Sequence, residues 1–363
     1  MLSVSEIPAT QTAIIQHDGS ELRITSGLPI PELEANDILV RTASVALNPC
    51  DFKMPLRFPT PGLWDGCDFS GTVIALGSKA AENARFRLGD RVFGAVQGSN
   101  QSDPTSGSYC EYLKIDQDFA FHIPKAVDFK DGPAISGTGI ATLGVALFWS
   151  LQIPGSLADP SKIPVDVLVY GGSSTIGLLA IQMVKLCGHR VITTCSPKNF
   201  DLVRSYGADL VFDYKSDTCA RDIRAATKNT LRYALDPFAE ASTVRLCQDA
   251  IGRTGGRYCA LEQYQEHLCT RKTVKNDLVM GGAISGNGVQ LPEPYGIPRA
   301  PEIGDWARSW YKTIQNLADA GKLRPSPVRL LPGRFEGIID GLNLLKEGAV
   351  SGQKLVVLLE EAA

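Results

Sequence analysis

Residues 167–187 constrain the fold more than any other stretch. An apolar run, Val167-Leu168-Val169-Tyr170, meets Gly171-Gly172-Ser173-Ser174-Thr175-Ile176-Gly177 and then an amphipathic stretch to Cys187. The order is strand, tight turn, helix. Such a turn aims several backbone N–H groups and the positive end of a helix dipole at one spot, which suits a pyrophosphate. The loop nominates a dinucleotide site.

The chain beyond it keeps the same rhythm. Strands are expected at 190–194, 209–212, 231–235 and 256–261, and helices at 198–206, 218–227 and 240–251. Regular alternation implies right-handed crossovers and an α/β, doubly wound parallel sheet. Residues 280–301 are rich in Gly and Pro; a helix with Ile303, Trp306, Trp310, Ile314 and Leu317, a second helix over 335–347 and a strand at 354–359 follow. Upstream, 10–125 reads as short strands at 13–16, 21–25, 37–46, 70–76, 91–95 and 109–115, a compact all-β region. A small-residue helix covers 131–151, and 153–164, with its prolines, reads as a linker. The expected domains are 1–160, 161–300, and a segment 301–363 returning to the first.

Composition removes several classes. With 363 residues and 44% hydrophobic content the chain can bury a large core, and the formal charge of -3 has no basic run longer than Arg271-Lys272, so nucleic acid is not an expected partner. Nine cysteines form an odd set with no C-x-x-C pair, which argues against a disulfide framework or a zinc lobe. The start, Met1-Leu2-Ser3-Val4-Ser5-Glu6, lacks a basic patch followed by an apolar core, and no uninterrupted apolar run approaches membrane-spanning length. A cytoplasmic protein with no membrane partner is expected.

About twenty residues past the glycine turn, a NAD site places an acid for the ribose 2′-OH. Here the chain reads Thr194-Cys195-Ser196-Pro197-Lys198-Asn199. A hydroxyl, an ammonium and an amide at a helix start suit a 2′-phosphate, so NADPH is the expected cofactor. The alternative is that Ser196 only caps the helix entered at Pro197.

In the first domain, Asn48-Pro49-Cys50-Asp51-Phe52-Lys53 follows a strand and by itself reads as a turn. Taken with Gly66-Cys67-Asp68-Phe69-Ser70-Gly71-Thr72-Val73, Gly89-Asp90-Arg91-Val92 and Ser351-Gly352-x-Lys354-Leu355-Val356, it resembles the zinc-independent quinone- and enoyl-reductase branch of the medium-chain dehydrogenase/reductase superfamily, over nearly the whole length. More narrowly, Tyr170-Gly171-Gly172-Ser173, Cys195-Ser196-Pro197-x-Asn199-Phe200-Asp201-Leu202, Phe212-Asp213-Tyr214 and Asn229-x-Leu231-Arg232-Tyr233-Ala234-Leu235-Asp236 resemble the trans-acting enoyl reductases of fungal polyketide pathways, the lovastatin enoyl reductase type. The resemblance implies a Rossmann domain plus a mostly β GroES-like catalytic domain. Zinc dehydrogenases of the superfamily place Cys where Asn48 stands and Gly-His-Glu where Gly66-Cys67-Asp68 stands, and residues 97–107 hold no Cys. Cys67 and Asp68 alone do not make a site, so no metal is expected. Quinone reductases carry glycines at Ser174 and Thr175; hydroxyl donors replace them here.

The resemblance also implies roles. Lys53, on the loop after the strand, would hold the cofactor ribose or stabilise negative charge, unless it is an ordinary surface lysine. Thr142 would bond near the nicotinamide, unless it bonds its own helix backbone. The cofactor would be lined by Cys50, Asp51, Phe52, Lys53, Ser173, Ser174, Thr175, Ile176, Ser196, Pro197, Lys198, Asn199, Tyr214, Leu261, Glu262, Gly352 and Gln353. An acyl chain would lie along Gly139, Ile140, Ala141, Thr142, Leu143, Gly144, Val145 and Ala146, whose small size equally permits close packing. Tyr214 would stack on the adenine side or close a core edge. Residues 285–289 sit where dimeric relatives pair edge strands; their glycines weaken that edge, so a monomer is expected.

Three readings follow. The first is an NADPH-dependent trans-acting enoyl reductase serving the carrier domain of a separate polyketide synthase or its hybrid with a peptide synthetase. The second is a free-standing quinone or enone reductase. The third is an NADPH-binding scaffold that docks a synthase without catalysing.

Overall fold

Short strands broken by Gly, Pro and Asp build the first part of the chain: β1 (Thr10–Gln16), β2 (Leu22–Pro29), β3 (Asp37–Ala46), β4 (Asp68–Leu76), β5 (Arg91–Ala95), β6 (Tyr112–Asp116) and β7 (Ala120–His122). The computed structural model describes residues 7–360; residues 1–6, read above as lacking a leader, and 361–363 lie outside the described residues. The region is not purely β. It also holds α1 (Pro49–Arg57) and α2 (Ser78–Asn83). α1 forms because Pro49 stands at a first-turn position, where a missing N–H is harmless, and the Asp51 carboxylate accepts the Asn48 N–H at 2.7 Å. The expected turn, and the expected loop under Lys53, are therefore a helix.

The middle of the chain carries α3 (Gly137–Gly144), β8 (Asp166–Val169), α4 (Thr175–Leu186), β9 (Arg190–Thr194), α5 (Phe200–Ser205), β10 (Leu210–Phe212), α6 (Cys219–Ala226), β11 (Tyr233–Asp236), α7 (Ala241–Ala250), β12 (Gly256–Ala260), β13 (Val274–Leu278) and α8 (Pro301–Asp319). The strands join in the order β10-β9-β8-β11-β12-β13, every pair parallel. This is the doubly wound sheet expected from the alternation, with β13 added at its edge. The core follows helical spacing: Val244 and Cys247 on α7, Ile251 just past its end, and Cys219 and Ile223 on α6 are buried with Tyr258 and Ala234. Each large apolar side chain so buried stabilises by about 1.5–3 kcal/mol.

The last elements are β14 (Val328–Leu331), α9 (Arg334–Lys346) and β15 (Lys354–Leu358). They complete the first region's seven-stranded sheet, ordered β14-β15-β3-β4-β5-β7 with β6 paired to β3. Phe335, Ile338 and Leu342 of α9 are buried in one cluster with Ile14, Val45, Phe69 and Tyr109.

Two compact units result: Met1–Thr138 with Ile314–Ala363, and Gly139–Thr313. The divisions fall at 138 and 313 rather than near 160 and 300. The shift has a physical cause, because α3 and the π-helical turn after it are tied into the second unit. Trp310 Nε1 donates to the Ile140 carbonyl at 3.2 Å, Ser150 Oγ to Asp277 at 3.0 Å and Arg257 to the Ser150 carbonyl at 3.2 Å. Pro133–Ser150, 18 residues of mean hydropathy 1.2 interrupted by Ser136 and Thr138, is 83% buried inside the protein, as in a core helix.

Candidate functional site

The glycine turn opens between β8 and α4. Gly171 adopts φ +64, which favours glycine, and Gly177 sits so close to the turn that a Cβ would lie 2.5 Å from the Gly171 carbonyl oxygen. Ser174 caps α4: its hydroxyl accepts the Gly177 N–H at 3.1 Å and donates to the Gly171 carbonyl at 2.8 Å. Its donor is thus spent, which corrects the expectation of a free hydroxyl there. Ser173, Thr175 and Ile176 remain partly exposed beside the first-turn N–H groups.

Past β9, Ser196 stands before a 3-10 turn over Pro197–Asn199 but caps nothing with its side chain. Its hydroxyl instead pairs with the Tyr214 hydroxyl at 3.2 Å. The competing role as an N-cap fails on this geometry. Lys198 is exposed, Asn199 buried, and Tyr214 half-buried with its ring 6.1 Å from that of Tyr170. Burial pushes the Cys195 thiol up to about 11, so it stands there as an apolar packing group. Leu261 donates its N–H to the Asp236 carbonyl at 3.0 Å, and the Glu262 carboxylate accepts the Tyr295 hydroxyl.

The segment expected to line an acyl chain is mostly core. Ile140, Leu143 and Ala146 have no exposed surface, Val145 keeps 6%, and Ala141 and Thr142 keep 8%. A Cβ on Gly144 would come within 2.8 Å of Trp310 Nε1, and one on Gly281 within 2.5 Å of Thr142 Oγ1. The 3-10 turn Gly281–Ser285 therefore lies against Thr142. This turn has no role among the expectations from sequence, where the edge strand covers only 285–289; the glycine pair Gly281-Gly282 is the signal for a close approach.

In the first unit a second set of functional groups gathers around α1. Cys50 and Phe52 are partly exposed, as is Lys53 on the same helix, and Asp51 is buried. Gly352 takes φ +69 and Gln353 is exposed. Asp68 is fully buried and accepts Lys354 Nζ at 2.9 Å, Asn48 Nδ2 at 3.1 Å and Ser136 Oγ at 3.2 Å on one oxygen, and the Thr138 N–H and hydroxyl, both at 2.8 Å, on the other. The Asp51 carboxylate accepts the Tyr109 hydroxyl at 2.5 Å; burial holds it above the usual carboxylate range although that bond opposes the rise. Asp65 is raised well above its ordinary value by burial and then by the nearby Asp51 charge. Its Oδ1 accepts Ser99 Oγ at 2.7 Å, while Oδ2 is buried without a hydrogen bond.

Residues 34–125 match the family model of the alcohol dehydrogenase GroES-like domain, and 175–286 that of the zinc-binding dehydrogenase. Solved structures share the fold, among them a putative zinc-dependent alcohol dehydrogenase from Rhizobium etli (TM-score 0.78, 23% identity, 98% of this chain and 100% of that one). The CurK enoyl reductase does so too (TM-score 0.74, 16% identity, 96% and 99%). Enoyl reductase cheB of Chaetomium globosum is 53% identical over 362 residues, 98% of this chain and 96% of that protein. Trans-enoyl reductase ffsC of Aspergillus flavipes is 52% identical over 360 residues, 99% and 98%. The chain belongs to the trans-enoyl reductase family.

A zinc ion, implied by the name of one matching model, does not fit the donors of this trans-enoyl reductase family member. Asp68 has five hydrogen-bond donors on its two oxygens, one of them the Lys354 ammonium, and Asn48 is an amide. Asp68, dismissed above as a partner for Cys67, stays with Lys354 and its other donors. Cys67 groups with Cys50 and Asp51, their donor atoms within 4.8 Å of one another. Both thiols are nonetheless held up: at Cys50 the hydrogen bond with Cys67 lowers but burial and the Asp51 and Asp68 charges outweigh it, and at Cys67 the bond to Cys50 and then burial raise. Protonated thiols are poor metal ligands.

Proposed function

We propose that this chain is a trans-acting, NADPH-dependent enoyl reductase that reduces the α,β-double bond of a polyketide thioester carried on a separate polyketide synthase or its hybrid with a peptide synthetase. The observation that carries the reading is the 53% identity to Enoyl reductase cheB across 98% of this chain. The name of that relative, and of its 52% identical counterpart ffsC, gives the reaction class.

The choice of NADPH is supported by the absence of an acid after β9 and by Ser196, whose hydroxyl turns to Tyr214 rather than to a helix cap. Bound there, the cofactor supplies a hydride for the β-carbon of the enoyl group. Ser196, Lys198 and Asn199 would hold the 2′-phosphate and the α4 N-terminus the pyrophosphate; within the first unit Lys53 is assigned the stabilisation of negative charge, and within the second Thr142 a hydrogen bond near the nicotinamide. The first unit is read as the catalytic domain and the second as the cofactor domain. Nine thiols, none of them paired, accord with a cytoplasmic protein.

Turnover decides between this reading and a free-standing quinone reductase. Stopped-flow loss of NADPH absorbance is expected with a 2-enoyl chain on a carrier protein, faster than with a simple quinone. Faster quinone turnover, or a flat trace with every enoyl chain, overturns it.

A further inference from the structure

The strand order of the second unit changes direction between β8 and β11. In open parallel sheets, ligands bind outside the carboxyl ends of the strands at such a reversal. Gly171 follows β8 at this point and Phe238 follows β11. Phe238 is 41% exposed, the one aromatic ring among the large apolar side chains found exposed in the described residues.

Everything around this exposed ring fixes it. Asp236 is fully buried, and its Oδ1 accepts the N–H groups of Phe238 and Ala239 at 3.0 and 3.1 Å. Its Oδ2 accepts the Thr243 hydroxyl at 2.6 Å and the Tyr258 hydroxyl at 2.9 Å, so the turn that presents Phe238 is anchored in the core. The ring meets Tyr170 edge-on, centroids 5.9 Å apart at 77°. A Cβ on Gly171 would lie 2.3 Å from Phe238 Cε2, so the ring rests directly on the turn glycine. A single exposed apolar ring is ordinary on a protein surface, but one resting on the turn glycine at the strand-order reversal presents its face where a dinucleotide would lie.

We infer that Phe238 seats the nicotinamide-ribose half of the dinucleotide, packing against its flat face; this rests on the dinucleotide reading of the second unit. A doubly wound sheet is built of two mononucleotide-binding halves. The half made by β8, β9 and β10 carries Ser196 and Tyr214, which are assigned to the phosphorylated adenosine. Phe238 ends a strand of the other half. Tyr170 lies between, 6.1 Å from the Tyr214 ring and 5.9 Å from that of Phe238, so one aromatic strip runs from the first half to the second.

The test compares two ligands on the full chain, NADPH and 2′,5′-ADP, the latter lacking the nicotinamide half, with dissociation constants read by fluorescence or calorimetry. Phe238→Ala is expected to weaken NADPH about three- to tenfold and to leave 2′,5′-ADP unchanged. Phe238→Leu, which keeps apolar volume, is expected to recover most of the loss. Unchanged NADPH binding in Phe238→Ala overturns the proposal. Parallel loss of both ligands also overturns it, because the ring then merely supports the glycine turn. A parent protein that binds neither ligand overturns the dinucleotide reading itself, and a parent that binds NADPH but reduces no enoyl thioester overturns only the proposed reaction.

Discussion

The Lys354 ammonium lies 2.9 Å from the Asp68 carboxylate, with side-chain exposures of 2% and 0%. Two charges taken this far from water attract strongly but have also lost their hydration, so the pair is worth little against an apolar substitute and a great deal against one partner left alone. Lys354→Met is expected to lower unfolding free energy by about 3–5 kcal/mol. The double variant Lys354→Met with Asp68→Asn is expected to recover much of that in a urea titration. Strictly additive losses would mean the two charges do not depend on each other.

Ser196 has no capping bond to lose, only the long, partly exposed contact with Tyr214, so Ser196→Ala is expected to change the melting temperature little while weakening NADPH. A normal N-cap serine would cost about 1 kcal/mol on removal. A clear drop in melting temperature would restore the capping role.

Lys198 is exposed, and a charge-assisted contact there is expected to act on the 2′-phosphate alone. Lys198→Ala should weaken NADPH about three- to tenfold and leave NADH unaffected, with the NADPH difference shrinking as salt is raised. Equal loss for both cofactors would refute the phosphate assignment.

Asp65 carries a pH signature. Its folded-state pKa lies above the unfolded value because burial disfavours the charged form. The folded state then holds its proton more tightly, so the stability this provides is fully present below the unfolded value, about 3.9, and is lost as pH rises through the folded one. Asp65→Asn removes the ionisation, so its stability relative to the parent is expected to rise from pH 4 towards pH 8. A gap independent of pH would show that Asp65 ionises as freely in the fold as out of it.

These groups were unequally visible in the sequence. The run at 167–177 declared strand, turn and helix because each of its signals is local, and β8, the Gly171 turn and α4 follow in that order. α1 was hidden by residues that are both turn formers and helix starters; only the Asp at 51, three past Asn48, marked the capping geometry. The tie from Asn48 and Asp68 to Lys354 spans 306 and 286 residues, and no periodicity reports a pairing of that range. Phe238 looked like an unremarked loop residue because its exposure depends on Asp236, Tyr170 and Gly171 arriving at one place.

β15 lies between β14 and β3 in its sheet, whereas Gly139–Thr313 forms its unit from one uninterrupted stretch. During synthesis, the ribosome must deliver Leu358 before the first unit's sheet can close, while the second unit is complete some forty-five residues sooner. The region made first is therefore expected to fold last, with its β3 edge open to misuse in the interval. Pulse proteolysis of arrested nascent chains is expected to show 139–313 protected while 1–138 is still cut.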